Sequence, residues 1–363
     1  MKVLSVVGTR PNFMKLAPVA RALDRRADVQ HIIVHTGQHY DAVMSDEFFD
    51  DLDIPTPNYA LGVGSGTHTE TTTAVMSRLE PVLAYEQPDL VLVYGDVNST
   101  VAAALAAAQR GIRVAHVEAG LRSRDRAMPE ELNRLVTDHV ATLLLAPSAD
   151  AVENLHAEGI DPQSVHFVGN VMIDSLMRVL PRARAEQRER HTGVEGPYVV
   201  VTLHRPSNVD DPDHLRELVG ALEDISQDTT VLFSVHPRTR RRMDEMQLKP
   251  NGGGALRVLE PQGYVDMIGL VSRANLVITD SGGLQEETSF LGVPCLTVRP
   301  NTERPITCSL GTNALVPPQR SALVERARGV LKRTGARARP VIERWDGHAG
   351  ERIADVVCDG ARY

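Results

Sequence analysis

Short, mostly apolar runs rich in β-branched residues alternate with longer amphipathic stretches along nearly the whole chain. Val3–Val7, Ile32–His35, Leu90–Tyr94, Val114–Val117, Leu143–Ala146 and Val165–Val168 have the length and composition of buried strands. Between them, Lys15–Leu23, Thr69–Leu83, Val101–Gln109, Glu130–Thr142 and Ala149–Glu158 carry a helical pattern. Apolar strands separated by helices predict a parallel sheet covered on both faces. After about Asp174 the pattern turns charged and Arg-rich, through Arg178–Glu195, and Gly196-Pro197 breaks it; this predicts a domain linker merging into a helix. A second series follows, with Val199–Leu203, Thr230–Val235, Leu256–Leu259, Leu276–Thr279 and Cys295–Val298 as strands. Asp213–Ile225, Tyr264–Ser272 and Leu284–Leu291 are its helical stretches, and Val341–Val357 is a last one behind a basic, Pro-containing connection. The expected fold class is α/β, with two Rossmann-like halves, 1–174 and 175–340, facing each other across a cleft.

A chain of 363 residues exceeds the usual size of one core, which supports two domains. Its net charge of -8 leaves no basic excess to displace counterions, so no nucleic-acid partner is expected. Cys295, Cys308 and Cys358 are odd in number and widely spaced, which favours a reduced, cytoplasmic setting over a disulfide framework. The chain opens on a strand without a charged leader, and no apolar run reaches membrane-spanning length. Neither a signal peptide nor a membrane partner is therefore expected. No His/Cys cluster has metal-ligand spacing, and the first strand-turn-helix lacks G-x-G-x-x-G. Neither a metal nor a nicotinamide cofactor is expected.

Candidate chemistry lies at strand ends. Gly8-Thr9-Arg10-Pro11, with Lys15 about one helical turn on, would bring an arginine fork, an ammonium and free N–H groups to one phosphate region. Asp96 follows the strand ending at Tyr94, where Asp96, Asn98 or Ser99 would equally serve as a helix cap. Glu118 follows the next strand directly, and Glu130 and Glu131 open a helix; for Glu131 a dipole role suffices. Asp96, Glu118 and Glu130 on one rim suit acid–base work at carbon, with a sugar lying between these acids and the phosphates. In the second half His204 and Arg205 end a strand, and His236 with Arg238 repeats the theme more weakly. Asp280-Ser281-Gly282-Gly283 precedes a helix holding Glu286 and Glu287, which reads either as a diphosphate loop with a ribose acceptor or as a capping pair. Arg304 adds a cation in the loop Glu303-Arg304-Pro305.

These segments, in this order, resemble the non-hydrolysing UDP-N-acetylglucosamine 2-epimerases. His116-Val117-Glu118-Ala119-Gly120-Leu121-Arg122 and Pro129-Glu130-Glu131 belong to the same set, and the resemblance runs from residue 1 to about 316. It implies two domains in the GT-B arrangement, with the closing segment 341–363 returning to the first domain. It implies interconversion of UDP-GlcNAc and UDP-ManNAc by eliminating UDP to a 2-acetamidoglucal and adding it back, with no cofactor, in a cytoplasmic homodimer. Carried over, Asp96, Glu118, Glu130 and His204 are catalytic, and Arg10, Lys15 and His204 meet the phosphates and neighbouring sugar. Ser281, Gly282 and Gly283 hold the diphosphate, Glu287 the ribose, Arg304 the nucleotide, and Gln262 and Met267 the uracil.

One departure bears on regulation. Many bacterial members bind a second UDP-GlcNAc as activator, using a Gln three residues after the Gln of a Gln-His pair and an Arg near a following helix start. Here Gln38-His39 is followed by Tyr40-Asp41, and the later stretch reads Gly64-Ser65-Gly66-Thr67-His68, so little substrate activation is expected. The alternatives are a hydrolysing epimerase releasing UDP and ManNAc, a GT-B glycosyltransferase, and a non-catalytic UDP-sugar sensor. The Arg10-Pro11 turn favours the non-hydrolysing branch.

Overall fold

A computed structural model of the chain describes residues 1–38, 51–189, 194, 196–250, 253, 255–333 and 338–359. It divides into two compact units, Met1–Arg178 with Glu343–Tyr363, and Val179–Ile342. The division falls inside one helix, Val171–Glu189.

The strands of the first unit are β1 (Lys2–Val7), β2 (Gln30–His35), β3 (Tyr59–Ala60), β4 (Leu90–Tyr94), β5 (Arg113–Val117), β6 (Leu143–Ala146) and β7 (Val165–Phe167). They pair in parallel in the order β3-β2-β1-β4-β5-β6-β7. The chain leaves β1 toward β2 and later returns to β1's other side as β4. The crevice at the carboxyl ends of β1 and β4 is therefore the switch point, where such sheets bind ligands.

The second unit repeats this plan with β8 (Tyr198–Thr202), β9 (Thr230–Ser234), β10 (Leu256–Leu259), β11 (Leu276–Thr279), β12 (Cys295–Val298) and β13 (Asn313–Val316). The order is β10-β9-β8-β11-β12-β13, which puts its switch point between β8 and β11. Both faces of β8 are covered. Val199 and Val201 join a cluster with Leu218, Leu222 and Phe233, while Tyr198 and Val200 join another with Leu270, Val277 and Leu284. Each such aliphatic side chain contributes roughly 1.5–3 kcal/mol of burial. Two-sided burial is why these strands are continuously apolar instead of alternating.

Three stretches differ from the sequence expectation. The Arg-rich region after Asp174 is helical to Glu189, because Val171, Met172, Ile173, Leu176, Val179 and Ala183 recur on a buried face. Residues 190–193 and 195 of the expected linker lie outside the described residues. β13 was not expected; four residues opening on Asn313 carry too little patterning. The closing helix is Ala349–Asp359 rather than Val341–Val357. Before it, Arg344 and Gly347 take positive φ of 59° and 86°, and Trp345 donates to the Pro147 carbonyl at 3.2 Å, so this part is bent around the first unit. The helix docks within that unit: Asp174 accepts from the Ala349 and Gly350 N–H groups at 3.2 and 2.8 Å, and a Cβ on Gly350 would meet the Pro18 carbonyl at 2.6 Å.

Candidate functional site

Each switch point carries a polar cluster, and each cluster is built within its own unit. The turn after β1 presses on the helix after β4, for a Cβ on Gly8 would lie 2.3 Å from Ser99 Oγ. Asn12 accepts from the Gly8 and Thr9 N–H groups at 3.2 Å each and donates to the Tyr94 carbonyl at 2.8 Å. One buried amide thus ties the end of β1 to the end of β4. Arg10 opens the following helix and is half-buried. Lys15 lies deeper and forms an ion pair with Glu118, their side chains 6% and 4% exposed. Within the chain Lys15 thus meets a carboxylate.

Two backbone features make room for that pair. Glu118 sits at φ 76°, a left-handed conformation that costs a side-chain-bearing residue about 1–2 kcal/mol. Gly95 sits at φ 64°, and a Cβ there would lie 2.5 Å from Lys15 Nζ and 3.1 Å from Glu118 Oε2. Next to it, the half-buried Asp96 pairs with Arg134, and its carbonyl accepts from Asn133 Nδ2 at 2.9 Å. Arg134 also bonds Glu131 at 2.7 Å, and Glu131 accepts from the Ser123 and Arg124 N–H groups at 2.9 and 2.8 Å. Burial opposes ionisation of Glu131, but Arg134 and these N–H groups outweigh it and hold its pKa below the ordinary value. Glu131 is thus a structural anchor rather than a mere dipole partner. Glu130 is half-buried and makes no hydrogen bond or ion pair to another described residue.

The Pro129–Val140 helix supplying these groups is inverted in polarity. Glu131, Arg134, Thr137 and Asp138 are its buried residues, whereas Leu132 and Val136 are 40% and 41% exposed. Arg134 and Asp138 are thereby functional candidates that the sequence reading passed over. The available signal was a charged stripe at i, i+3 and i+7 from Glu131 on the same helix as two stray aliphatics. The capping alternative for Asn98 and Ser99 does not hold: Val97 is the N-cap, and Ser99 instead donates to Gln38 Oε1 at 2.7 Å. His39, Tyr40 and Asp41 lie outside the described residues.

In the second unit Asp280, fully buried at the end of β11, organises the turn after β8. It accepts from the N–H groups of His204 and Arg205 at 3.0 and 2.9 Å and from Asn208 Nδ2 at 3.0 Å. Its carboxylate also lies 2.8 Å from His204 Nδ1, whose side chain is 39% exposed. Burial would raise Asp280, yet His204 and these donors pull its pKa down to about 2. An ionised Asp280 fixes the proton on Nδ1 and leaves Nε2 for a ligand.

Ser281 is the N-cap of the Gly282–Leu291 helix and makes no side-chain capping bond, so the capping-pair alternative for Glu286 and Glu287 fails. Glu286 instead pairs with Arg304 at 2.9 Å, and Glu287 accepts from the Tyr264 hydroxyl at 2.9 Å. Burial, reinforced by Glu286, pushes Glu287 up to about 8 against the lowering effect of Tyr264. Glu303 gathers three cations, Arg304, Arg299 at 2.8 Å and Arg205 at 3.8 Å. Burial opposes that charge, and the arginines hold the carboxyl well below its usual range. A Cβ on Gly282 would lie 2.6 Å from Arg304 Nη1 and 2.8 Å from Glu303 Oε1, so the guanidinium rests on the helix start. Helix N–H groups beside a held guanidinium form a diphosphate-binding arrangement. Gln262 is half-buried and donates to the Glu260 carbonyl at 2.7 Å, while Met267 packs at the edge of the core. Both flank Tyr264 in sequence, the residue whose hydroxyl bonds Glu287. Among the described residues, no group of three or more His, Cys, Asp or Glu is set to hold a metal ion.

The family model described as UDP-N-acetylglucosamine 2-epimerase matches residues 21–358. The chain belongs to that family. It is 40% identical over 368 residues to the UDP-N-acetylglucosamine 2-epimerase of Methanocaldococcus jannaschii, covering 99% of this chain and 100% of that one. It is 42% identical over 337 residues to the UDP-2,3-diacetamido-2,3-dideoxy-D-glucuronate 2-epimerase of Pseudomonas aeruginosa, covering 92% and 93%. The crystal structure of the Methanocaldococcus jannaschii UDP-GlcNAc 2-epimerase with UDP-GlcNAc and UDP superposes with a TM-score of 0.91 at 41% identity, over 99% of this chain and all of that one. Membership in this 2-epimerase family matches the resemblance read from the motifs, and it makes an epimerase of this α/β chain. No described helix is long and apolar enough to cross a membrane.

Proposed function

We propose that this epimerase interconverts UDP-GlcNAc and UDP-ManNAc without hydrolysis, eliminating UDP and adding it back to carbon 1 while a proton returns to the opposite face of carbon 2. The observation that carries the reading is the pair of carboxylates Asp96 and Glu118, at the ends of adjacent strands, each held against a buried cation. The proton on carbon 2 has no neighbouring carbonyl to acidify it. Its removal therefore goes with departure of UDP from carbon 1, which leaves a carbon–carbon double bond in a 2-acetamidoglucal. Protonation from the other face and attack by the UDP oxygen on carbon 1 complete the exchange.

In this scheme Asp96, Glu118 and Glu130 move the carbon-bound proton and hold the intermediate. Arg10, Lys15 and His204 meet the phosphates and the neighbouring sugar. Ser281, Gly282, Gly283 and Arg304 stabilise the diphosphate as its charge grows. Glu287 takes the ribose, and Gln262 and Met267 the uracil. In this scheme Lys15 serves twice, pairing with Glu118 and meeting the leaving phosphate. We also infer a cytoplasmic homodimer, the family habit, whose mass light scattering measures.

Anion-exchange analysis of products tests the hydrolysis question. UDP-ManNAc accumulating with little free UDP supports the proposal; equal amounts of UDP and ManNAc assign the hydrolysing branch. The Pseudomonas relative adds a second sugar to try, and turnover of the diacetamido glucuronate nucleotide alone would move the substrate there.

A further inference from the structure

His116 lies fully buried on β5, between the two strand ends that carry Asp96 and Glu118. Its Nε2 is 2.8 Å from the Gly95 carbonyl, and its Nδ1 is 2.6 Å from Asp138 Oδ1. A carbonyl only accepts, so Nε2 carries a proton and donates it. The other oxygen of Asp138 accepts from the Gly120 N–H at 3.1 Å and pairs with Arg122 at 2.7 Å. Arg122 in turn pairs with Glu158 at 2.6 Å. Burial opposes ionisation of Asp138, but His116 and Arg122 outweigh it and keep its pKa below the ordinary value.

The consequence is geometric. Gly95 and Gly120 both sit at positive φ, 64° and 85°, and they bracket the two candidate carboxylates. The Gly95 peptide leads directly into Asp96; Gly120 lies two residues beyond Glu118. A single imidazole fixes the first turn by its Nε2 donor and the second through Asp138. Asn133, on the same helix as Asp138, holds the peptide on the far side of Asp96.

We propose that His116 is a positioning residue, a strut that with Asp138 sets the Asp96 turn against the Glu118 turn for proton transfer. This rests on the reading of Asp96 and Glu118 as the catalytic carboxylates. His116 is fully buried, so its effect falls on kcat, with substrate and UDP binding left in place. A displacement of about 1 Å between reacting groups costs on the order of 100-fold in rate.

The experiment compares H116Q with H116N, which reach different ends of the imidazole. Glutamine places a donor where Nε2 was; asparagine reaches only the Asp138 side. With the strut, H116Q keeps kcat within about 10-fold of the native enzyme while H116N loses about 100-fold, with KM and the UDP dissociation constant within about 3-fold for both. Equal kcat for the two variants, or a rise in KM at native kcat, overturns the strut. Should H116N not fold, D138N replaces it, since it keeps the imidazole and removes the anion that orients it; a native kcat for D138N overturns the proposal equally. D96N and E118Q are run beside them. Near-native turnover by these two sinks the catalytic reading and the strut with it, whereas their inactivity beside a fully active H116N sinks the strut alone.

Discussion

Lys15 and Glu118, 103 positions apart, meet as a buried ion pair at the carboxyl edge of the first sheet. Removing one partner of such a pair strands a charge in the protein, which typically costs about 3–5 kcal/mol. K15M is therefore expected to lower the urea midpoint sharply. The double variant K15M/E118Q, which removes both charges, recovers most of the loss. A K15M protein as stable as the native one would show the pair to be dispensable.

Two buried carboxyls with raised pKa make stability fall as pH rises toward neutral. Asp174 is pushed up to about 6 and Glu287 to about 8, from ordinary values of 3.8 and 4.5, in each case chiefly by burial. In those intervals the folded chain holds more protons than the unfolded one. Stability therefore falls as pH rises, for Asp174 from about 3.8 to 6 and for Glu287 from about 4.5 to 8, by at most about 1.4 kcal/mol per pH unit for each group. D174N should flatten the profile between about pH 4 and 6, and E287Q should flatten it up to about pH 8. Urea midpoints across pH measure both, and unchanged slopes would contradict the assignment.

Gly282 has no space for a methyl group beside Arg304 and Glu303. G282A forces the guanidinium off the helix start, and about 10-fold or more of UDP affinity goes with it, or roughly 1.4 kcal/mol. Calorimetric titration with UDP reads this directly. Native affinity in G282A would remove Arg304 and the helix start from the nucleotide site.

The absence of the activator-site donors around Gln38 and Gly64–His68 predicts a hyperbolic dependence of rate on UDP-GlcNAc. Gln38 Oε1 is already engaged by the Ser99 hydroxyl. Initial rates over a wide substrate range check this, and a Hill coefficient well above one would contradict it.

Element types and strand ends were legible because two-sided burial writes itself as unbroken apolar runs, as in Leu90–Tyr94 and Leu276–Thr279. Arg10, Asp96, Glu118, His204 and Ser281 could all be placed at carboxyl edges on that basis. Their partners were much harder to read. His116 finds Asp138 22 positions away, and Glu303 draws on Arg299, Arg304 and the distant Arg205, pairings that only the packed fold creates. The polar stripe of Pro129–Val140 suggested no more than a dipole role for Glu131, because charged residues are seldom buried without partners, and most of those partners lie elsewhere in the chain. The bent passage from 341 to 348 escaped notice for a similar reason: its turns are held by contacts such as Trp345 to Pro147.

Proton NMR of the purified enzyme with UDP-GlcNAc in deuterated water tests the central claim most directly. The account predicts UDP-ManNAc appearing in mixture with UDP-GlcNAc, with deuterium at carbon 2 of both. Stoichiometric UDP with free ManNAc, or epimerisation that retains the original proton, would contradict it.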